Sequence, residues 1–147
     1  MSAITDLNRL RDRLKPSARM PVVFLGHGSP MNALEDTAYS RAWTALGQSL
    51  PQPAAILVVS AHWMTRGTTL VDVSALPKTI HDFYGFPDAL YAMDYPAPGA
   101  PDLAREVSTL LASHHSDTDD TWGLDHGAWT VLRFLYPQAN VPVFQVS

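Results

Sequence analysis

The sequence predicts an α/β fold in which a largely parallel sheet is covered by helices on both faces. Two continuous apolar runs, residues 22–25 and 54–59, are the main basis for this prediction. Apolar runs without polar alternation, bounded by turn residues, are typical of strands buried on both faces. Between them, residues 33–50 place Leu34, Ala38, Ala42 and Leu46 at helical spacing, which indicates the crossover helix of a βαβ unit.

The composition limits the classes of function that this chain can have. Hydrophobic residues make up 46% and charged residues 16% of 147 residues, which is typical of a folded globular chain of one-domain size. The formal net charge of −4 disfavours nucleic-acid binding. Because cysteine is absent, disulfides and cysteine-based zinc sites are excluded, and a metal would need His, Asp or Glu.

Residues 1–19 predict a surface helix, because Leu7, Leu10 and Leu14 recur at helical spacing among charged residues. This segment has no apolar core of signal-peptide length. No apolar run approaches the roughly 20 residues that a membrane span requires. We therefore expect an N-terminal helical extension over residues 1–19, one α/β domain from residue 20 onwards, and a cytoplasmic protein with no membrane or nucleic-acid partner.

The middle of the chain predicts a strand over residues 68–73 and then a long aromatic loop over residues 75–87, which could form a pocket wall. Pro101 stands where a helix would begin, and His114 and His115 fall at its solvated end. Residues 117–120 are acidic, but Trp122 occupies the position at which a calcium loop needs glycine, so we do not assign calcium binding.

The last part of the chain predicts a helix followed by a strand. Asp125 is a suitable N-cap for a helix that ends near Pro137, with His126 in its first turn. Residues 141–146 form another apolar run and predict the final strand.

Each of the two apolar runs that define the fold leads to a histidine, His27 and His62. Because ligands bind at the carboxyl ends of strands in open α/β sheets, neighbouring strands would bring both side chains together. Two imidazoles with a carboxylate or a third imidazole make a facial metal site with open positions. Hydrogen-bonded structural histidines are the alternative, and the pattern alone leaves both interpretations open.

A serine hydrolase is a further alternative, with Ser29 or Ser60 as the nucleophile. The sequence contains no Gly-x-Ser-x-Gly segment, which disfavours this interpretation. His81 and Asp82 are interpreted as a hydrogen-bonded pair within the aromatic loop. Several apolar and aromatic residues near the strand ends could line the pocket of an aromatic substrate or simply form core: Met31, Trp63, Met64, Phe83 and Phe86.

Five segments occur together and in order: residues 26–30, 60–63, 80–87, 95–99 and 123–129. Their combination resembles the class III extradiol ring-cleavage dioxygenases, specifically the DOPA 4,5-extradiol dioxygenase-like branch, from about Met20 to the last residue. The resemblance implies an α/β three-layer sandwich with a mixed, largely parallel central sheet, which we expect to be incomplete in this chain. It also implies a mononuclear non-haem Fe(II), often replaced by Zn(II), that opens a catechol such as DOPA with O₂.

The resemblance also implies roles for individual residues. His27 and His62 match metal ligands, and His126 matches a catalytic histidine near the substrate and O₂. We assign substrate-binding roles to four further residues: Ser29, Trp63, His81 and Phe83. The family has additional histidines in a C-terminal part that these 147 residues lack. We therefore expect an amino-terminal portion of a dioxygenase, with little turnover of its own.

Two other functions stay open beside the dioxygenase. One is a non-catalytic zinc-binding fragment or module, completed by a partner chain. The other is a metal-dependent hydrolase that does not require O₂. The sequence defines neither the oligomeric state nor the particular catechol.

Overall fold

A computed structural model of the chain describes residues 19–147, and its strands form one four-stranded sheet. The strands are β1 (Ile56–Val59), β2 (Thr69–Asp72), β3 (Ser116–Asp119) and β4 (Val143–Val146), in the order β1-β4-β2-β3. Parallel pairing joins β1 to β4 and β2 to β3, whereas β2 and β4 are antiparallel. The expectation of a mixed, largely parallel sheet is confirmed.

Helices cover both faces of this sheet. They are α1 (Ala38–Ser49), α2 (Asp88–Tyr91), α3 (Pro101–Leu110) and α4 (His126–Leu135), with short 3-10 turns at Pro30–Ala33 and Ala112–His114. On one face of β4, Val143 packs in a cluster with Trp129 of α4, and on the other, Phe144 packs with Ala104 of α3. The three-layer sandwich is therefore confirmed. None of the helices from residue 19 onwards is long and apolar enough to cross a membrane.

Several of these helices and strands lie where the sequence predicted them, because residues at their ends define where they begin. Pro101 is the first residue of α3, where its missing N–H leaves no helical hydrogen bond unmade. Asp125 is the N-cap of α4 and accepts a hydrogen bond from the backbone N–H of Ala128. The predicted strands around residues 56–59, 69–72 and 143–146 are confirmed, whereas the helix predicted over residues 1–19 lies almost wholly outside the described residues.

The crossover helix differs from its prediction in both its start and its buried face. It begins at Ala38 because Thr37 and Ser40 form a capping box, each side chain accepting a hydrogen bond from the backbone N–H of the other. The predicted stripe is wrong, since Leu34 lies before the helix and is 38% exposed. The buried positions of α1 are Ser40 and Trp43.

Packing against α4 determines which face of α1 is buried. The ring of Trp43 lies 5.9 Å from that of Phe134. Gly47 lies directly against the backbone of Leu135, and a Cβ at this position would collide with it. The helix is oriented by this close contact rather than by the residues spaced four apart in its sequence.

The first apolar run is not a strand. Residues 22–25 have no regular secondary structure, and Val22 and Phe24 are fully exposed. Among the described residues no strand pairs with the outer edge of β1, and Leu57 and Val59 of β1 are exposed as well. The prediction of two strands buried on both faces is therefore wrong. An apolar run favours a strand, but a buried strand also needs a hydrogen-bonded partner strand and a covering layer. The described residues supply neither of these to residues 22–25.

The strand β3 was not predicted. Ser116–Asp119 is polar and lies at the edge of the sheet, where it pairs with β2 and the hydroxyl of Ser116 donates to the carbonyl of Ser108 on α3. An edge strand of this kind has no apolar periodicity for a sequence pattern to detect.

Candidate metal centre

Three histidines converge at one end of the sheet. His27, His62 and His126 each offer one ring nitrogen, and these atoms lie within 4.8 Å of one another. The Nε2 atoms of His27 and His62 are 2.8 Å apart, and the ring centroids of His62 and His126 are 4.1 Å apart. The structure thus brings together the two histidines proposed as ligands and the histidine proposed as catalytic.

His27 is held by a turn instead of a strand. Gly28 has a φ of +63°, a backbone conformation that residues other than glycine rarely adopt. The side-chain amide of Asn32 donates a hydrogen bond to the carbonyl of His27 at 3.1 Å. Ser29 is exposed, and its hydroxyl accepts a hydrogen bond from the backbone N–H of Met31, so that it caps the following 3-10 turn. The imidazole therefore reaches the cluster without the strand that was expected to deliver it.

His62 and His126 are brought together by the approach of α4 to the end of β1. The hydroxyl of Ser60 accepts a hydrogen bond from the backbone N–H of His62 at 3.2 Å. His126 is the first residue of α4. A Cβ at Gly127 would lie 2.7 Å from Cδ2 of His62, so the missing side chain allows the helix to come this close.

Asp82 lies against His126 from the aromatic loop. Its Oδ1 accepts a hydrogen bond from the backbone N–H of His126 at 2.8 Å and lies 2.9 Å from the ring Nδ1, a close contact without hydrogen-bond geometry. Burial alone would raise the pKa of Asp82, but its contacts with His126 outweigh burial and hold the pKa below its ordinary value. Since Nδ1 faces the carboxylate, Nε2 is the nitrogen available to the cluster.

The environment of His27 favours the neutral imidazole. Burial lowers its pKa, and repulsion from His126 and His62 lowers it further, while Asp125 and the backbone of Gly28 act in the opposite direction. A neutral imidazole has a free nitrogen lone pair and is the form that binds a metal.

The donor set fits a borderline divalent metal such as Fe(II) or Zn(II), for which imidazole is a suitable ligand. Two nitrogens at about 2.1 Å from one ion and at a right angle lie roughly 3 Å apart. The 2.8 Å between the Nε2 atoms of His27 and His62 is close to that spacing.

Of the residues predicted to bind substrate, Phe83 makes a ring contact with the cluster. Its ring stands edge-on to that of His126, with 5.6 Å between centroids. Phe83 also contacts His81, with 5.7 Å between ring centroids. His81 lies 2.9 Å from the carbonyl of Met93 through Nε2, and its ring packs against Trp129. Phe83 therefore contacts both His81 and His126.

The other candidates lie in different surroundings. Trp63 is 5% exposed and stacks on Trp122, with 5.2 Å between nearly parallel rings. Ser60 donates its hydroxyl proton to a carboxylate of Asp125 at 2.8 Å instead of to an imidazole, so this geometry gives the serine-hydrolase alternative no support. His114 and His115 are exposed, as predicted.

Sequence reasoning missed two residues around the site. Asp82 was interpreted as a partner of His81, but it contacts His126, which is 44 positions away. Gln145 was passed over as part of the last strand, although it is fully buried and hydrogen-bonded to Asp125. The sequence signal for Gln145 is a single amide inside an apolar run. Such an amide is expected to have a specific hydrogen-bond partner, because buried polar side chains almost always have one.

Known proteins resemble this chain over most of its length. Residues 21–147 match the family described as the catalytic LigB subunit of aromatic ring-opening dioxygenase. A 4,5-DOPA dioxygenase extradiol of Escherichia coli K12 is 54% identical over 139 residues, which are 94% of this chain and 51% of that relative. A protein of the same name from Beta vulgaris is 43% identical over 130 residues, covering 84% of this chain and 48% of the relative.

A solved structure is similar to this chain in both its fold and its sequence. The crystal structure of an uncharacterized protein from Escherichia coli K12 has a TM-score of 0.69 and 48% sequence identity, covering 88% of this chain and 47% of that one. The chain spans about half the length of the curated relatives it matches. The matched range includes all three converging histidines. The chain therefore belongs to the family of the catalytic LigB subunit of aromatic ring-opening dioxygenases.

Proposed function

We propose that this chain carries the metal-binding part of an extradiol dioxygenase that opens a catechol such as DOPA with O₂. The observation that carries the proposal is the convergence of His27, His62 and His126. Two relatives named 4,5-DOPA dioxygenase extradiol, at 54% and 43% identity, support the reaction class. Because the chain spans about half of their length, the activity and the choice of catechol both belong to the proposal.

His27 and His62 are the proposed ligands of a mononuclear Fe(II), and Zn(II) can bind at the same position. The 2.8 Å spacing of their Nε2 atoms and the lowered pKa of the partly buried His27 support this assignment. When bound, the metal would bring the catechol oxygens and O₂ together and allow charge to pass between them.

His126 is the proposed catalytic acid and base. It would exchange a proton with a catechol hydroxyl through Nε2, because Nδ1 faces the carboxylate of Asp82. The expected result for His126→Gln is retention of the metal with loss of ring cleavage. Loss of the metal in that variant would instead identify a three-histidine ligand set, which the separations within 4.8 Å also permit.

Phe83 is the proposed aromatic wall of the substrate site, since its edge-on contact with His126 puts an apolar ring beside the reacting groups. The ring of His81 packs edge-on against that of Phe83. Ser29 and Trp63 complete the proposed substrate-binding residues. Ser29 follows the turn that holds His27, and Trp63 follows His62 directly in the chain. These assignments can be tested by the effect of single substitutions on the KM for DOPA.

We also propose that residues 20–147 form part of a single catalytic domain and that the protein is cytoplasmic. Core packing that links α4 to the aromatic loop and the sheet supports the first statement. Limited proteolysis would test it, with cleavage expected at the exposed residues 22–24 before any site inside the sheet.

Metal content and oxygen uptake together test the proposed function. The wild type is compared with a His27→Ala/His62→Ala variant after anaerobic purification and loading with iron. A His114→Ala/His115→Ala variant is the matched control, because both of its histidines are exposed and lie at the end of α3. We expect a stoichiometric metal ion in the wild type and the control, and none in the His27→Ala/His62→Ala variant.

Oxygen uptake with DOPA then distinguishes the possible activities. Uptake with formation of a ring-opened semialdehyde supports the dioxygenase. Bound metal without uptake identifies a metal-binding module, and ester or amide turnover without O₂ identifies a hydrolase. Absence of metal from the wild type contradicts the proposed metal centre itself.

A further inference from the structure

Next to the three histidines lies a buried hydrogen-bond network of Ser60, Asp125 and Gln145. Asp125 and Gln145 are 0% exposed, and Ser60 is 8% exposed. The carboxylate of Asp125 accepts hydrogen bonds from the Ser60 hydroxyl and from the side-chain amide of Gln145, both at 2.8 Å. In return, the amide oxygen of Gln145 accepts a hydrogen bond from the backbone N–H of Asp125 at 2.9 Å.

This network connects the segments that carry two of the histidines. At one end, the Ser60 oxygen accepts a hydrogen bond from the backbone N–H of His62. At the other, Asp125 precedes His126 and caps α4 through the backbone N–H of Ala128 at 3.2 Å. Asp125 is in turn hydrogen-bonded to Gln145 on β4, whose backbone is paired to β1 on one side and to β2 on the other. Both histidines are thereby linked to one rigid strand.

The donors and acceptors of the network permit only one arrangement. The Gln145 amide cannot turn around, because its oxygen is engaged by the N–H of Asp125 while its nitrogen donates to the carboxylate. The Ser60 hydroxyl donates its single proton to Asp125, because a carboxylate oxygen only accepts, while its oxygen accepts from the backbone N–H of His62. Asp125 is thus surrounded by donors, and an amide in its place would direct an N–H group at another donor.

We propose that Ser60, Asp125 and Gln145 are positioning residues of the metal centre, which hold His62 and His126 at the separation that one metal ion requires. This inference rests on the proposed function, because it presupposes that the histidines act together on a metal. None of the three residues needs to touch the ion. Their contribution is to fix the end of β1 and the start of α4 relative to each other before a metal arrives.

Binding of Co²⁺ tests this proposal, because the visible absorption of Co²⁺ depends on the number and geometry of its ligands. The variants are Ser60→Ala, which removes one hydroxyl, and Asp125→Asn, which places an amide against the donors. Ser108→Ala is the matched control, since Ser108 is a similarly buried serine (9% exposed) on α3, at the other face of the sheet. Circular dichroism and thermal unfolding monitor the folded state of every variant.

We expect Ser60→Ala and Asp125→Asn to bind Co²⁺ about 10–100-fold more weakly than the wild type and with a changed absorption spectrum. Ser108→Ala is expected to lose stability but to retain the affinity and the spectrum. If Asp125→Asn does not fold, Ser60→Ala decides the question, because it leaves Asp125 bonded to Gln145 and Ala128.

The outcomes separate this proposal from the proposed function. If the wild type binds Co²⁺ and a folded Ser60→Ala variant binds it with the same affinity and spectrum, the positioning role is wrong while the metal centre stands. If the wild type binds no Co²⁺, or if His27→Ala/His62→Ala binds it equally well, the metal centre fails and the positioning role fails with it.

Discussion

The carboxylate of Asp82 holds His126 at two atoms, accepting its backbone N–H at 2.8 Å and lying 2.9 Å from its ring Nδ1. The aromatic loop that carries Asp82 is itself fixed, because the indole N–H of Trp129 donates to the carbonyl of Ile80 at 2.8 Å. A loop without regular structure thereby sets the orientation of a histidine on a helix.

Replacement of Asp82 by asparagine should impair the site without unfolding the protein. The amide oxygen can still accept the backbone N–H of His126, but the negative charge facing Nδ1 is lost. We expect a loss of about 10–100-fold in metal affinity or in oxygen uptake by the iron-loaded protein. Asp102→Asn is the control, since Asp102 is exposed and pairs with Arg105 on the surface of α3. A folded Asp82→Asn variant that matches the wild type in both measurements would contradict this role.

Replacement of Gly127 by alanine should push His62 away from the other histidines. The new Cβ would lie 2.7 Å from Cδ2 of His62 and 2.9 Å from Oγ of Ser60. We expect a loss of about 1–3 kcal/mol in the free energy of unfolding, together with weaker Co²⁺ binding. Urea unfolding and Co²⁺ titration measure the two effects. Gly26→Ala is the control, because nothing lies within 4 Å of a Cβ at Gly26 and its neighbour is also a site histidine.

The stability of the metal-free protein should fall as the pH is lowered through the ordinary pKa of histidine. Burial, with repulsion from His126 and His62, lowers the pKa of His27 from 6.5 in the folded state. As the pH falls, the unfolded chain therefore binds a proton at His27 near pH 6.5, whereas the folded protein binds it only at lower pH. The contribution of His27 to the free energy of unfolding is thus fully present above pH 6.5 and is lost as the pH falls from 6.5 to the lowered pKa.

Urea unfolding at several pH values in the presence of a chelator measures this dependence. Because His27 is only partly buried, solvent screening should keep its contribution below about 1 kcal/mol. His27→Gln should flatten the curve between the lowered pKa and 6.5, whereas His115→Gln, at an exposed position, should leave it unchanged. An unaltered slope in His27→Gln would show that other groups carry the effect.

Asp72→Asn should stabilise the protein near neutral pH. Asp72 is 1% exposed, and burial raises its pKa above the ordinary 3.8, with Asp119 acting in the same direction. A raised folded pKa means that the wild type loses stability as the pH rises through that value. We expect Asp72→Asn to be more stable by about 1 kcal/mol at neutral pH, with a smaller difference in acid. Asp117→Asn on β3 is the exposed control.

Local signals made much of the fold predictable. The N-cap Asp125 and the helix-initiating Pro101 define helix starts through contacts within a few residues, so they can be identified without knowledge of the rest of the fold. The same holds for the apolar runs that became β1, β2 and β4. His27 and His62 were identifiable because each follows an apolar run, although the first of these runs is not a strand.

Features that depend on distant partners were not predictable from local patterns. The buried face of α1 is chosen by Phe134 and Leu135 on another helix. The exposure of Val22 and Phe24 reflects the lack of a covering layer among residues 19–147, which no property of the run itself reveals. Asp82 and Gln145 belong to the site only through contacts with His126 and Asp125, made across long stretches of chain.

The long sequence separations around the histidines have a consequence for the order of events during synthesis. His27 and His62 stand 35 positions apart, and Ser60 and Asp125 are 65 apart. Gln145, which is hydrogen-bonded to Asp125, lies on β4. Closing such loops is slow and precedes any gain from the contacts they bring together. We therefore expect the complete cluster to form only after β4 has been synthesised, so that the three imidazoles come together on one metal ion after the sheet has folded.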